Sequence, residues 1–145
     1  MQVDRSKSLQ QLESRDWGEP TFDSHLVTEC HRLHKVPLCD YTVEDLRITI
    51  GQNIGLEYLV PLAIEKLREN PLVEGNCYPG DLLSNVLGAD AAFWRAHPDL
   101  HKQLILITER AISIASADED VCKEVVIESV STAYEKFKRQ SRTQA

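Results

Sequence analysis

Apolar residues recur at helical spacing over most of the chain, and the residues between the runs read as helix caps, not hairpin turns. Ser8 and Gln11 have the spacing of a capping box, which puts Leu9 and Leu12 on a short helix ending before an extended Trp17-Gly18-Glu19-Pro20. Leu26, Val27, Cys30 and Leu33 form the next stripe, closed by Pro37 because the residue before a proline disfavours the α region. Thr42 and Asp45 cap a segment carrying Val43, Leu46 and Ile50. Leu46, Ile48 and Ile50 also alternate with polar residues, so 43–50 fits a strand as well; the cap and the lack of a second strand run favour helix.

Residues 56–69 carry the clearest amphipathic pattern, Leu56, Leu59, Val60, Ala63, Ile64 and Leu67, with Pro61 demanding a kink or a helix start near residue 60. Pro79 suits a first helical position, with Leu82, Leu83, Val86 and Leu87 inward and Gly88 as the stop. Asp90 caps a turn bearing Phe93 and Trp94, and His97-Pro98-Asp99 opens a long helix. Its stripe of Leu100, Leu104, Ile107, Ala111 and Ile114, widened by Ile105 and Ile112, predicts the most buried helix of the protein. Asp118 starts a last helix with Cys122, Val126, Val130, Ala133 and Phe137 inward, antiparallel to its predecessor across a short break. The expected architecture is all-α: one irregular helical bundle over residues 1–145 with a long C-terminal antiparallel pair and a basic, frayed tail at 136–145.

At 145 residues the chain is long enough to bury a full core without staples. Its formal net charge of -7 opposes phosphate backbones and anionic membrane surfaces, so a basic protein is the favoured partner, with no nucleic acid and no membrane. Lys136, Lys138, Arg139 and Arg142 lie in an acid-free tail, which makes the body more acidic than the total. Cys30, Cys39, Cys77 and Cys122 form no CxxC pair and read as reduced, mostly buried thiols; with no secretory signal or membrane span, the expected address is the cytoplasm.

The six glycines build no dinucleotide loop, P-loop or nucleophile elbow, and Gly51-Gln52-Asn53-Ile54-Gly55 reads as a tight turn or close helix approach. His97 with His101, His31 with His34, and Cys30 with His34 have spacings that bring side chains together on a helix, but without HExxH or an orienting third group they predict neither metal nor catalysis. No cofactor is expected. Helix-capping roles account for Asp45, Asp81, Asp90, Asp99 and Asp118, which leaves an acidic loop surface with Trp17, Tyr41 and Tyr78 suited to a basic protein. A helical adaptor or regulatory subunit for some basic protein satisfies these features on its own.

Four strings narrow the choice. Asp16-Trp17-Gly18-Glu19-Pro20, Tyr41 to Ile48, Gly51 to Ala63, and Tyr78-Pro79-Gly80-Asp81-Leu82-Leu83 together resemble the immunity proteins of bacterial contact-dependent growth inhibition (CDI), in particular the small α-helical group paired with ribonuclease-type toxins. The likeness spans roughly residues 8–95. It implies a non-enzymatic cytosolic antidote that binds the C-terminal toxin domain of a CdiA-type effector and covers its active site. Carboxylates would stand in for substrate phosphates and aromatics would fill the interface centre, which makes Asp16, Trp17, Glu19, Asp23, Glu44, Asp45, Glu74, Tyr78 and Asp81 the expected toxin contacts.

Overall fold

Ser8 Oγ accepts the Gln11 N–H at 3.3 Å while Gln11 Oε1 accepts the Ser8 N–H at 2.9 Å, so α1 (Leu9–Glu13) begins with the expected reciprocal cap. The computed structural model describes residues 3–20, 24–117 and 123–142. Ser24 caps α2 (His25–His34), and a single 3-10 turn at Leu38–Asp40 leads to α3 (Val43–Gly51). There Thr42 and Asp45 exchange the same pair of bonds, at 3.1 and 3.0 Å, and residues 43–50 are helix. Then come α4 (Leu56–Glu69), α5 (Asp81–Leu87), α6 (Ala91–Ala96), α7 (Pro98–Ala117) and α8 (Lys123–Arg142). Extended pairing among the described residues amounts to two isolated bridges, Ser8 with Pro37 and Glu74 with Pro79. The fold is all-α.

One core joins the eight helices of the described residues, from Leu9 through Leu33, Ile50, Leu59, Leu83, Trp94 and Leu104 to Phe137. Its centre is α5, which packs on α3, α4 and α8 and buries Asp81, Leu82, Leu83, Val86 and Leu87 out of seven residues. The most buried helix is therefore α5 and not α7. On α7 the stripe runs Leu104, Ile107, Ala111, Ala115, since a step of four holds the face where a step of three drifts off it; Ile114 is 41 % exposed and Leu106 69 %. The antiparallel pairing of α7 and α8 is plain from His101 against Phe137 and Glu109 against Tyr134.

Several boundaries and core positions differ from expectation. α4 starts at Leu56 and runs through Pro61; Gly55, at φ +57, forms the cap, and both the Tyr58 and Leu59 N–H groups bond to its carbonyl. α5 starts at Asp81, because Pro79 is held in the bridge to Glu74 and Gly80 turns left-handed at φ +87. The Trp17 segment is not uniformly extended: Asp16 Oδ1 accepts the Gly18 N–H at 2.8 Å and Gly18 turns at φ +71. Leu26 is 40 % exposed, whereas His34 is buried. On α8 Tyr134 is buried more deeply than Ala133, and the helix runs on through the stretch expected to fray, as far as Arg142, anchored by the buried Phe137. Cys30 is buried while Cys39 and Cys77 are exposed; Asp118 and Cys122 lie outside the described residues. Gly51 to Gly55 is both a turn and a close approach: a Cβ on Gly51 would meet Asn85 at 2.9 Å, and one on Gly55 would meet Leu9 at 2.8 Å.

Candidate functional site

The capped start of α3 carries Glu44 and Asp45 in its first turn, Glu29 stands midway along α2, and the stretch ahead of α5 folds back towards them. Between them lies an open cleft of about 540 Å³ lined by His25 and Glu29 of α2, Glu44, Asp45 and Ile48 of α3, and Glu74 to Asn76. Four of these residues are carboxylic acids, from three separate stretches of chain. Two arginines outside the lining pair with them: Arg32 lies 2.7 Å from Glu29 and 3.6 Å from Asp45, and Arg47 lies 2.6 Å from Glu44. The Arg47 hydrogen bonds hold the Glu44 carboxyl below the usual range, helped by the Asn76 N–H at 2.9 Å and opposed by burial. The Arg32 hydrogen bond lowers Glu29 in the same way. Both are ionised at neutral pH, and with Asp45 and Glu74 they leave the cleft negative.

Behind the cleft, Asp81 organises the loop that forms one wall. Its carboxylate is 1 % exposed and accepts the N–H groups of Gly75 at 2.7 Å, Cys77 at 3.0 Å and Tyr78 at 3.4 Å, with Arg47 Nε 3.8 Å away. Gly75 is packed so tightly that a Cβ would stand 2.7 Å from Glu44 Oε1 and 3.1 Å from Asp81 Oδ2. Asp81 is thus withdrawn from the expected contact surface: a carboxylate spent on three backbone donors and buried under the loop cannot meet a partner.

The remaining expected contacts divide. Glu44, Asp45 and Glu74 meet in the cleft, and Tyr78 lies half-buried in the same loop but outside the cleft lining. Asp16 and Glu19 are exposed on the segment before α2, where Trp17 lies flat on His34, ring centroids 3.9 Å apart at 11°, and edge-on to His31. His31 and His34 point away from His25 and Glu29 around α2, so this patch and the cleft occupy different sides of that helix. Asp23 lies outside the described residues. The cleft acid that sequence reasoning missed, Glu29, carried a faint signal: Glu29–Arg32 is an i, i+3 pair on a helix face.

The histidine pairs serve packing. His34 Nε2 bonds to Glu13 Oε1 at 2.8 Å, His97 Nδ1 donates to the Phe93 carbonyl at 2.9 Å, and His101 stacks on Phe137. Cys30 is core, its thiol pushed up by burial. Among the described residues no group of three His, Cys, Asp or Glu side chains could hold a metal ion, and no helix is long and apolar enough to cross a membrane.

No curated protein and no solved structure matches the chain. The family described as CDI immunity proteins matches residues 11–104, which is well over half of the chain and contains the cleft, its supporting loop and the Trp17 segment. The chain belongs to the CDI immunity protein family, whose members act against a cognate CDI toxin and are generally not enzymes.

Proposed function

We propose that this immunity protein neutralises a ribonuclease-type toxin in the cytoplasm by seating its acidic cleft over the toxin's positively charged catalytic pocket, with no bond made or broken by the chain itself. The toxin is the C-terminal domain of a CdiA-type effector. What carries the reading is the convergence of Glu29, Glu44, Asp45 and Glu74 on one cleft. Enzymes that bind RNA offer cations to phosphate, and carboxylates in a fixed array offer those cations an alternative ligand. Arg47 and the Asn76 N–H fix Glu44 before any partner arrives, so little side-chain freedom is lost on binding. Glu74 is exposed and supplies charge at the mouth. Tyr78 belongs to the rim, while Asp16, Trp17 and Glu19 form a second patch that steers encounter from a distance.

The test is coexpression. Cells making the cognate toxin domain together with this chain grow, cells making an unrelated toxin with it do not, and the purified pair forms a complex whose ribonuclease activity is suppressed. A toxin that stays fully active on RNA while bound to the chain overturns active-site coverage.

A further inference from the structure

A second pocket, of about 340 Å³, lies where α6, the start of α7 and the end of α8 meet, lined by Trp94, Arg95, Pro98, His101, Lys102 and Phe137 among others. That volume is at the lower end of the range for small-molecule sites. In a protein with more acids than bases, no acid among the described residues lines it, whereas acids line the cleft between α2 and α3 and those beside α4. Its walls are flat rings: His101 stacks on Phe137 with centroids 4.6 Å apart at 23°, and Trp94 stands edge-on to Phe137 at 5.4 Å. Trp94 is 5 % exposed, and its indole Nε1–H is enclosed without an acceptor. An indole N–H is a donor only, so leaving it unmatched is costly and a ligand acceptor would relieve it. The pocket also borders the start of the 20-residue α7, where the helix dipole favours negative charge and where Asp99 stands in the first turn outside the lining, and the exposed Arg95 and Lys102 both line it.

We infer that this pocket binds a small anion that joins a planar ring, directly or through a sugar, to a phosphate or carboxylate group: the ring lies against Trp94, His101 and Phe137, and the anionic group is held by Arg95 and Lys102 at the start of α7.

The experiment uses the full chain carrying Trp17→Phe, so that the one remaining indole N–H resonance belongs to Trp94. Adenosine 5′-monophosphate, benzoate, adenosine and inorganic phosphate are titrated separately. The expected result is a saturable shift of the Trp94 resonance with the monophosphate or with benzoate, at a dissociation constant of about 1 mM or tighter. Adenosine and inorganic phosphate, each with half of the required chemistry, bind at least about tenfold more weakly than the stronger of those two. Which of the two anions saturates first distinguishes a phosphate ligand from a carboxylate ligand. Arg95→Ala/Lys102→Ala, two exposed positions whose loss leaves the thermal melt unchanged, weakens binding by about tenfold or more. The inference is overturned by an unmoved resonance with both ring-bearing anions, by equal binding of adenosine or inorganic phosphate, or by equal affinity in the double variant.

Discussion

Asp81 accepts the backbone N–H of Gly75 at 2.7 Å, six residues back along the chain, and so ties the first turn of α5 to the loop that walls the acidic cleft. Removing that carboxylate strands the N–H groups of half-buried Gly75 and Tyr78 and of Cys77, and leaves Arg47 with Glu44 alone. Asp81→Ala should lower unfolding free energy by about 3 kcal/mol, read by chemical denaturation. Hydrogen exchange at Gly75, Cys77 and Tyr78 should speed up selectively in the native state; unchanged protection there would show that the loop is held by something else.

Glu44 makes the stability of the same corner depend on pH with a definite sign. Its carboxyl is held below the ordinary 4.5 by Arg47, so its contribution is fully present above that value and is lost as pH falls through the lower folded value. The stability gap between the native chain and Glu44→Gln is therefore widest near neutrality and closes in acid. A gap that stays constant from neutral pH down to strong acid would contradict the pairing.

Gly55→Ala should be damaging out of proportion to its size. The position has φ +57, and an added Cβ would stand 2.8 Å from both terminal carbons of Leu9, which is 0 % exposed. Strain and overpacking together give a loss of about 1–3 kcal/mol, with the melting temperature as the readout. Gly18→Ala, also at positive φ but with nothing within 4 Å, should cost less.

Phe137 holds the basic end of α8 in place. It is 1 % exposed and touches the rings of Trp94, His101 and Tyr134. Phe137→Ala should lose about 3–5 kcal/mol and release residues 138–142 from helix, visible as reduced helical signal and faster amide exchange in that turn alone before global unfolding.

Much of this was legible because helix starts are written in local chemistry. Ser8 with Gln11, Thr42 with Asp45, and Asp90 each name their own helix, and the core positions on α4 and α5 follow from the 3.6-residue period. The misreadings come from non-local causes. Pro79 looks like a first helical residue until it is seen paired with Glu74. The acidic surface was visible as composition, yet sequence could not separate Asp81, sunk under its loop, from Glu74, three residues ahead of Cys77 and open to solvent. Nor could it bring Glu29 of α2 beside Glu44 of α3, since that proximity depends on how two helices cross.

Binding of the cognate toxin domain by titration calorimetry at physiological salt, for the native chain and for Glu29→Lys/Glu74→Lys, bears most directly on the cleft. Neither side chain sits in the core and the lost Glu29–Arg32 pair is partly exposed, so the variant should stay folded with only a small loss of stability while its affinity falls by about 100-fold or more. A folded double variant that binds within about threefold of the native chain would place the toxin on another face.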